Sequence, residues 1–124
     1  MTGGPDPERW VVLLQRFDDD ALYEAAAMAA SATSLGIAVT IVWFDSALEA
    51  LASDRLDERG ERPASAAELF VAARETGLLR LLACSASAVN RRDRIEKIRK
   101  EVDDIVGWPT VISLMRSASK TFAW

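Results

Sequence analysis

Three nearly continuous apolar runs punctuate the chain: Trp10–Gln15 (WVVLLQ), Ile37–Phe44 (IAVTIVWF) and Leu78–Ala83 (LLRLLA). Runs of this length without strict alternation predict strands buried on both faces, as in a parallel sheet. Between the first two, Leu22, Ala25, Ala29 and Ala32 recur at helical spacing. Asp18, Asp19 and Asp20 precede them, offering an N-cap and negative charge at the helix start. Gly36 ends that helix, because a residue without Cβ accepts the left-handed turn after it. Ser46 with Glu49 and Ser65 with Glu68 both have capping-box spacing. The first pair predicts a short helix through Leu51. The second predicts a helix whose Leu69, Ala72, Ala73 and Thr76 share a face and which Gly77 ends. Residues 53–63 are charged, carry Gly60 and Pro63, and read as an exposed loop.

Arg80 is the one charge in the third run. Its long stem can bury methylenes and reach an edge, or the group can face a subunit partner. Ser85, Ser87 and Asn90 are each suitable helix caps, and Ile95, Ile98 and Val102 predict a helix within 90–100. Ile105 and Val106 predict a short fourth strand ending at Gly107. Pro109 fits the first turn of a helix carrying Val111, Met115 and Ala118, and Thr121–Trp124 predicts a fifth strand. Strands alternating with helices predict a three-layer α/β/α sandwich: a five-stranded, mainly parallel sheet with helices on both faces. The whole of 1–124 reads as one domain, with 1–8 as a flexible start.

Composition narrows the chemistry. Histidine is absent, which removes the commonest general base near neutral pH and the commonest metal ligand. A metal site would need a group of carboxylates, so none is expected, and thiol exchange at a cysteine would need no organic cofactor either. The 15 Lys plus Arg against 19 Asp plus Glu give a net charge of −4, which repels phosphate backbones and argues against nucleic acid as a partner. No apolar run approaches the roughly 18 residues that cross a bilayer. Met1–Pro7 lacks a basic region followed by an apolar core. A cytoplasmic protein with no membrane partner is therefore expected. The single cysteine, Cys84, cannot form an internal disulfide, so its thiol is either packing or chemistry.

In an open parallel sheet, ligands gather at the carboxyl ends of the strands. The residues expected there are Arg16–Asp18, Trp43–Asp45, Cys84–Ser87, and Gly107 with Trp108. The loop after the first strand, QRFDDDA, has no glycine to bring amides close to a pyrophosphate. A phosphoacceptor receiver would need an aspartate where the third strand ends, and Cys84 stands there. The aspartate run reads as a helix cap. Cys84 is then the candidate reactive group, with Ser85 and Ser87 as donors to the sulfur and Arg16, Arg91 or Arg92 as positive charge. Arg16, Trp43, Asp45 and Trp108 join the two serines as a substrate- or partner-binding rim. The alternative is that Cys84 is buried packing and that Trp43 and Trp108 cover the core or a subunit contact.

These residues resemble the DsrE/DsrF-like family of small α/β domains, which includes sulfur-relay subunits. The likeness runs through the alanine-rich helix with Gly36 and IAVTIVWF, the helix ending LFVAARETG, LLRLLACSAS with Cys84, and EVDDIVG before the last helix and strand. Many relatives carry a glycine and an aliphatic residue shortly after the cysteine motif, where this chain has Asn90 and Arg91. The resemblance implies a sulfurtransferase-like carrier that holds sulfane sulfur as a persulfide on Cys84. It also implies donor and acceptor proteins as partners, and assembly into a homo-oligomer, a trimer or hexamer. The contrasting reading is a non-catalytic oligomeric binding or regulatory module of the same fold, with Cys84 structural.

Overall fold

Parallel strands laid side by side in chain order force their crossover helices onto one face of the sheet, and a connection that runs back the other way sends its helix to the opposite face. Both cases occur here. The computed structural model describes residues 6–16 and 18–124. The strands are β1 (Arg9–Leu14), β2 (Ala38–Trp43), β3 (Leu79–Cys84), β4 (Asp104–Val106) and β5 (Lys120–Ala123). The helices are α1 (Asp19–Ser34), α2 (Asp45–Leu51), α3 (Ala66–Glu75), α4 (Ser85–Val89), α5 (Ile95–Glu101) and α6 (Trp108–Ser117). All pairings are parallel and the order across the sheet is β4-β3-β2-β1-β5. The chain therefore forms a single α/β domain. Its first four strands step outward in one direction, and β5 returns to pair with β1.

The consequence is a lopsided sandwich. Val12, Leu14, Val39, Ile41, Trp43, Leu79, Leu81 and Ala83 face the main core with residues of α1 through α5. Val11, Leu13, Val42, Phe44, Leu82, Cys84 and Val106 face the other way, where α6 alone supplies cover through Val111, Leu114 and Met115. Alternation along each strand decides which layer a residue joins. Helices do lie on both faces, as expected, but unequally.

Local signals act mostly where the sequence places them. Asp18 caps α1, its carboxylate accepting from the amides of Asp20 at 2.8 Å and Ala21 at 3.2 Å. Leu22, Ala25, Ala29 and Ala32 are buried, and their small size lets α1 lie close to the sheet and α3. Gly36 has φ +86°, the left-handed region that glycine enters without a Cβ penalty. Ser65 caps α3 by accepting from Glu68 N–H at 3.1 Å.

Four expectations change. Ser46 is not the N-cap, because α2 already starts at Asp45 with Phe44 in that position. The buried face of α3 carries Ala66, Phe70 and Ala73, while Ala72 and Thr76 are exposed. The large ring of Phe70 sets the rotation of the helix, and it packs edge-on against Trp43 with ring centres 5.8 Å apart. Within 53–63, Asp54–Asp57 forms a 3-10 turn that buries Leu56. Two short helices follow β3 instead of one, and α4 begins directly after Cys84.

The short β4 has an anchor. Asp103 N–H donates to Leu81 C=O at 2.7 Å, while its carboxylate accepts from Leu81 N–H at 2.8 Å and from Arg74 at 3.1 Å. Of the expected flexible start, residues 1–5 lie outside the described residues. Glu8 is tied down: its carboxylate accepts from Trp10 Nε1–H at 2.6 Å and from Ser119 Oγ–H at 3.1 Å. These bonds, that from Trp10 first, hold its carboxyl below the ordinary value. Among the described residues no helix is long and apolar enough to cross a membrane.

Candidate functional site at the carboxyl edge of the sheet

The register brings three strand ends level. Trp43 pairs with Ala83 and Cys84 pairs with Val106, so Phe44, Cys84 and Val106 form one row across β2, β3 and β4. All three point toward α6. Cys84 is the last residue of β3 and the N-cap of α4. Its side chain is 2% exposed, enclosed by Leu82, Phe44, Val106 and Val111 of the same cluster. Above this row, Trp108 opens α6 and lays its ring on Phe44, with centres 5.1 Å apart and planes inclined by 31°. Trp108 is itself 44% exposed, so the aromatic pair runs from the buried cluster that holds the thiol out to the surface.

A second cluster sits one residue further along. Asp45 has φ +44°, the one non-glycine residue with positive φ among the described residues. Asp is among the few residues that tolerate this region, at a cost met by its surroundings. Here Ser87 Oγ–H donates to the Asp45 carboxylate at 3.1 Å, linking α4 to α2. Arg91 adds two more ties. It donates to Ser87 C=O at 3.0 Å and pairs with Glu49 at 3.1 Å, while its buried Nε has no partner. The peptide that carries Ser87 is thus fixed from both sides, and with it the helix that starts at Cys84.

Replacing Asp45 separates strain from bonding. Asp45→Asn keeps an acceptor and the tolerance of positive φ, and its unfolding midpoint in urea is expected to stay near that of the parent. Asp45→Ala loses both, and about 1–3 kcal/mol of stability is expected to go with them. Equal midpoints for the two variants would contradict the clamp.

The site residues expected from sequence separate into two groups. Cys84, Ser85, Ser87, Asp45 and Trp108 come together at this edge. Trp43 does not: it is 0% exposed and points into the main core against Phe70. It therefore forms no part of a binding rim. Arg16 is exposed after β1, with the whole of β2 between its strand and β3.

The expected electrostatics also change. Ser87 donates to Asp45 rather than to sulfur, Arg91 is engaged by Glu49 and the Ser87 carbonyl, and Arg92 is exposed in a 3-10 turn. Among the described residues Cys84 Sγ has no hydrogen-bond partner, and no group of three His, Cys, Asp or Glu stands close enough to hold a metal ion. Sequence reasoning put Phe44 at this edge and Glu49 in a capping box, but gave neither a part in the site. The signal for Phe44 was parity, since neighbouring strand residues face opposite ways and only one of Trp43 and Phe44 can share a face with Cys84.

Comparison with known proteins supports the architecture. The crystal structure of the YchN protein from E. coli superposes with a TM-score of 0.67 over 95% of this chain and 99% of that one, at 13% sequence identity. At that identity the likeness is one of fold. No protein-family model matches the chain, and no curated protein matches it by sequence.

Proposed function

We propose that this chain is a sulfur carrier that holds sulfane sulfur on Cys84. The observation that carries the reading is the convergence at one sheet edge of the single thiol, a left-handed Asp45 and the bonds that hold it there. Backbone strain of this kind collects where function demands a geometry. The DsrE-like fold of YchN is compatible with such a role. In the reaction, the Cys84 thiolate attacks the outer sulfur of a donor persulfide, R–S–SH. The S–S bond breaks, R–S⁻ leaves with the electron pair, and Cys84–S–SH forms. Transfer to an acceptor thiolate is the same exchange in reverse, so atoms and charge balance without metal or organic cofactor.

Burial favours a second reading: a binding or regulatory module in which Cys84 is packing. A thiol 2% exposed among aliphatic side chains has the environment of an inert core cysteine. The two readings differ in how the thiol is reached. Sulfur carriage requires a local opening, and this reading assigns it to the start of α6, where Trp108 rests on Phe44. Packing requires only global unfolding.

Alkylation of Cys84 in low urea distinguishes them. For a carrier, the rate depends weakly on urea, because a local opening exposes little surface. Trp108→Ala removes a ring pair worth about 1 kcal/mol together with its packing, and is expected to raise the rate about tenfold. A rate that follows the global unfolding slope, and that Trp108→Ala changes only in step with overall stability, supports packing.

A further inference from the structure

Because α6 is, among the described residues, the only helix on its side, one end of that sheet face lacks cover. α6 packs on Val11, Leu13, Val42, Leu82, Cys84 and Val106. Toward the amino ends of the strands, the face instead carries Arg9, Thr40 and Arg80. Thr40 on β2 is level with both Val11 of β1 and Arg80 of β3, and Arg9 stands two residues before Val11 on the same face. Together with Leu114 and Ser117 of α6 these residues line a groove of about 270 Å³. Its size falls just below the usual range for small-molecule sites.

Two features set this groove apart from an ordinary wet surface. β1 and β3 are internal strands of an all-parallel sheet, where charged residues are rare because both faces are normally covered. Moreover, neither guanidinium has an ion-pair partner among the described residues, although acidic residues outnumber basic ones. Two acids on neighbouring positions illustrate this. Glu8 accepts from Trp10 and Ser119. Asp104 on the edge strand accepts from the Ile105 amide at 2.8 Å and makes no ion pair.

We propose that this groove binds a small phosphomonoester. The two unpaired guanidinium groups match a dianion in charge and offer forked donors to its oxygens. Thr40 supplies a hydroxyl, and Val11 with Leu114 receives a short apolar body. The groove lies at the opposite end of the strands from Cys84, so it stands or falls independently of sulfur chemistry.

Titration calorimetry with phenyl phosphate at low ionic strength tests it, with inorganic phosphate and benzyl alcohol as companion probes. Phenyl phosphate is expected to bind saturably with a dissociation constant of about 1 mM or lower, and more tightly than either companion. Arg9→Gln and Arg80→Gln are each expected to weaken it about tenfold. Arg92→Gln, in the turn between α4 and α5 and outside the groove lining, is expected to leave it unchanged. Both groove arginines are exposed, and matching unfolding midpoints confirm that their variants fold. Three results would overturn the proposal: no saturable binding, undiminished binding by Arg80→Gln, or inorganic phosphate binding as tightly as phenyl phosphate. A fourth is self-association that occupies the groove, seen by sedimentation as an assembly that Arg80→Glu dissociates without phenyl phosphate binding to the released subunit.

Discussion

Trp43→Ala is expected to lose about 3–5 kcal/mol of unfolding free energy, the usual range for deleting a large buried aromatic. The side chain is wholly enclosed between the sheet and α3, meets Phe70 edge-on, and belongs to the same cluster as residues of every helix except α6. A domain of this size typically has about 5–15 kcal/mol in total, so the loss is a large share of the whole. Trp43→Phe should behave differently. The indole N–H is buried without a hydrogen-bond partner, so a ring without that donor removes an unsatisfied polar group while keeping most of the volume. A loss under about 2 kcal/mol is expected. Urea midpoints of the two variants decide the matter. A Trp43→Ala protein within 1 kcal/mol of the parent would contradict the core assignment. Trp43→Phe should also leave the alkylation rate of Cys84 unchanged, because the two side chains lie on opposite faces of the sheet.

That placement also shows what the sequence could and could not reveal. The strands were legible because WVVLLQ, IAVTIVWF and LLRLLA are too apolar for any position but a covered sheet, and their glycine and aspartate boundaries are local chemistry. The position of Cys84 at a strand end followed from the same pattern. Its burial did not. Exposure of that thiol depends on α6 lying across the face from β1 to β4, which is set by the return of β5 to pair with β1 rather than with β4. Strand order is a global property, and nothing in KTFA or DIV specifies a neighbour.

Similar reasoning explains Trp43 and Arg80. A large aromatic at the end of a strand suggests a rim, but one residue of parity sends Trp43 inward and leaves Phe44 beside the thiol. Arg80 conflicts with its apolar neighbours until the uneven cover of the sheet is known, and then its exposure is natural. The start of the helix after Cys84 stayed open among Ser85, Ser87 and Asn90 because SASAV is short and its residues are small, so tertiary contacts, not propensity, hold it. The Asp45–Ser87–Arg91–Glu49 links join residues far apart in sequence, and no spacing rule announces them.

Sulfur on Cys84 is measured most directly by intact mass. The folded protein is incubated with inorganic polysulfide or a persulfide-loaded sulfurtransferase, freed of small molecules, and weighed without reductant. A carrier gains one sulfur atom, about 32 Da, and returns to its original mass when the persulfide is reduced by an added thiol. Peptide mapping should place the gain on Cys84. Cys84→Ser should gain nothing under the same conditions, an all-or-none difference, and Trp108→Ala should load faster than the parent. The added atom has to enter a packed cluster, so loading is also expected to shift Trp108 outward and change its fluorescence. If the parent shows no added mass at Cys84 while glutathione in the same tube is converted to its persulfide, the thiol is packing and the carrier reading is wrong.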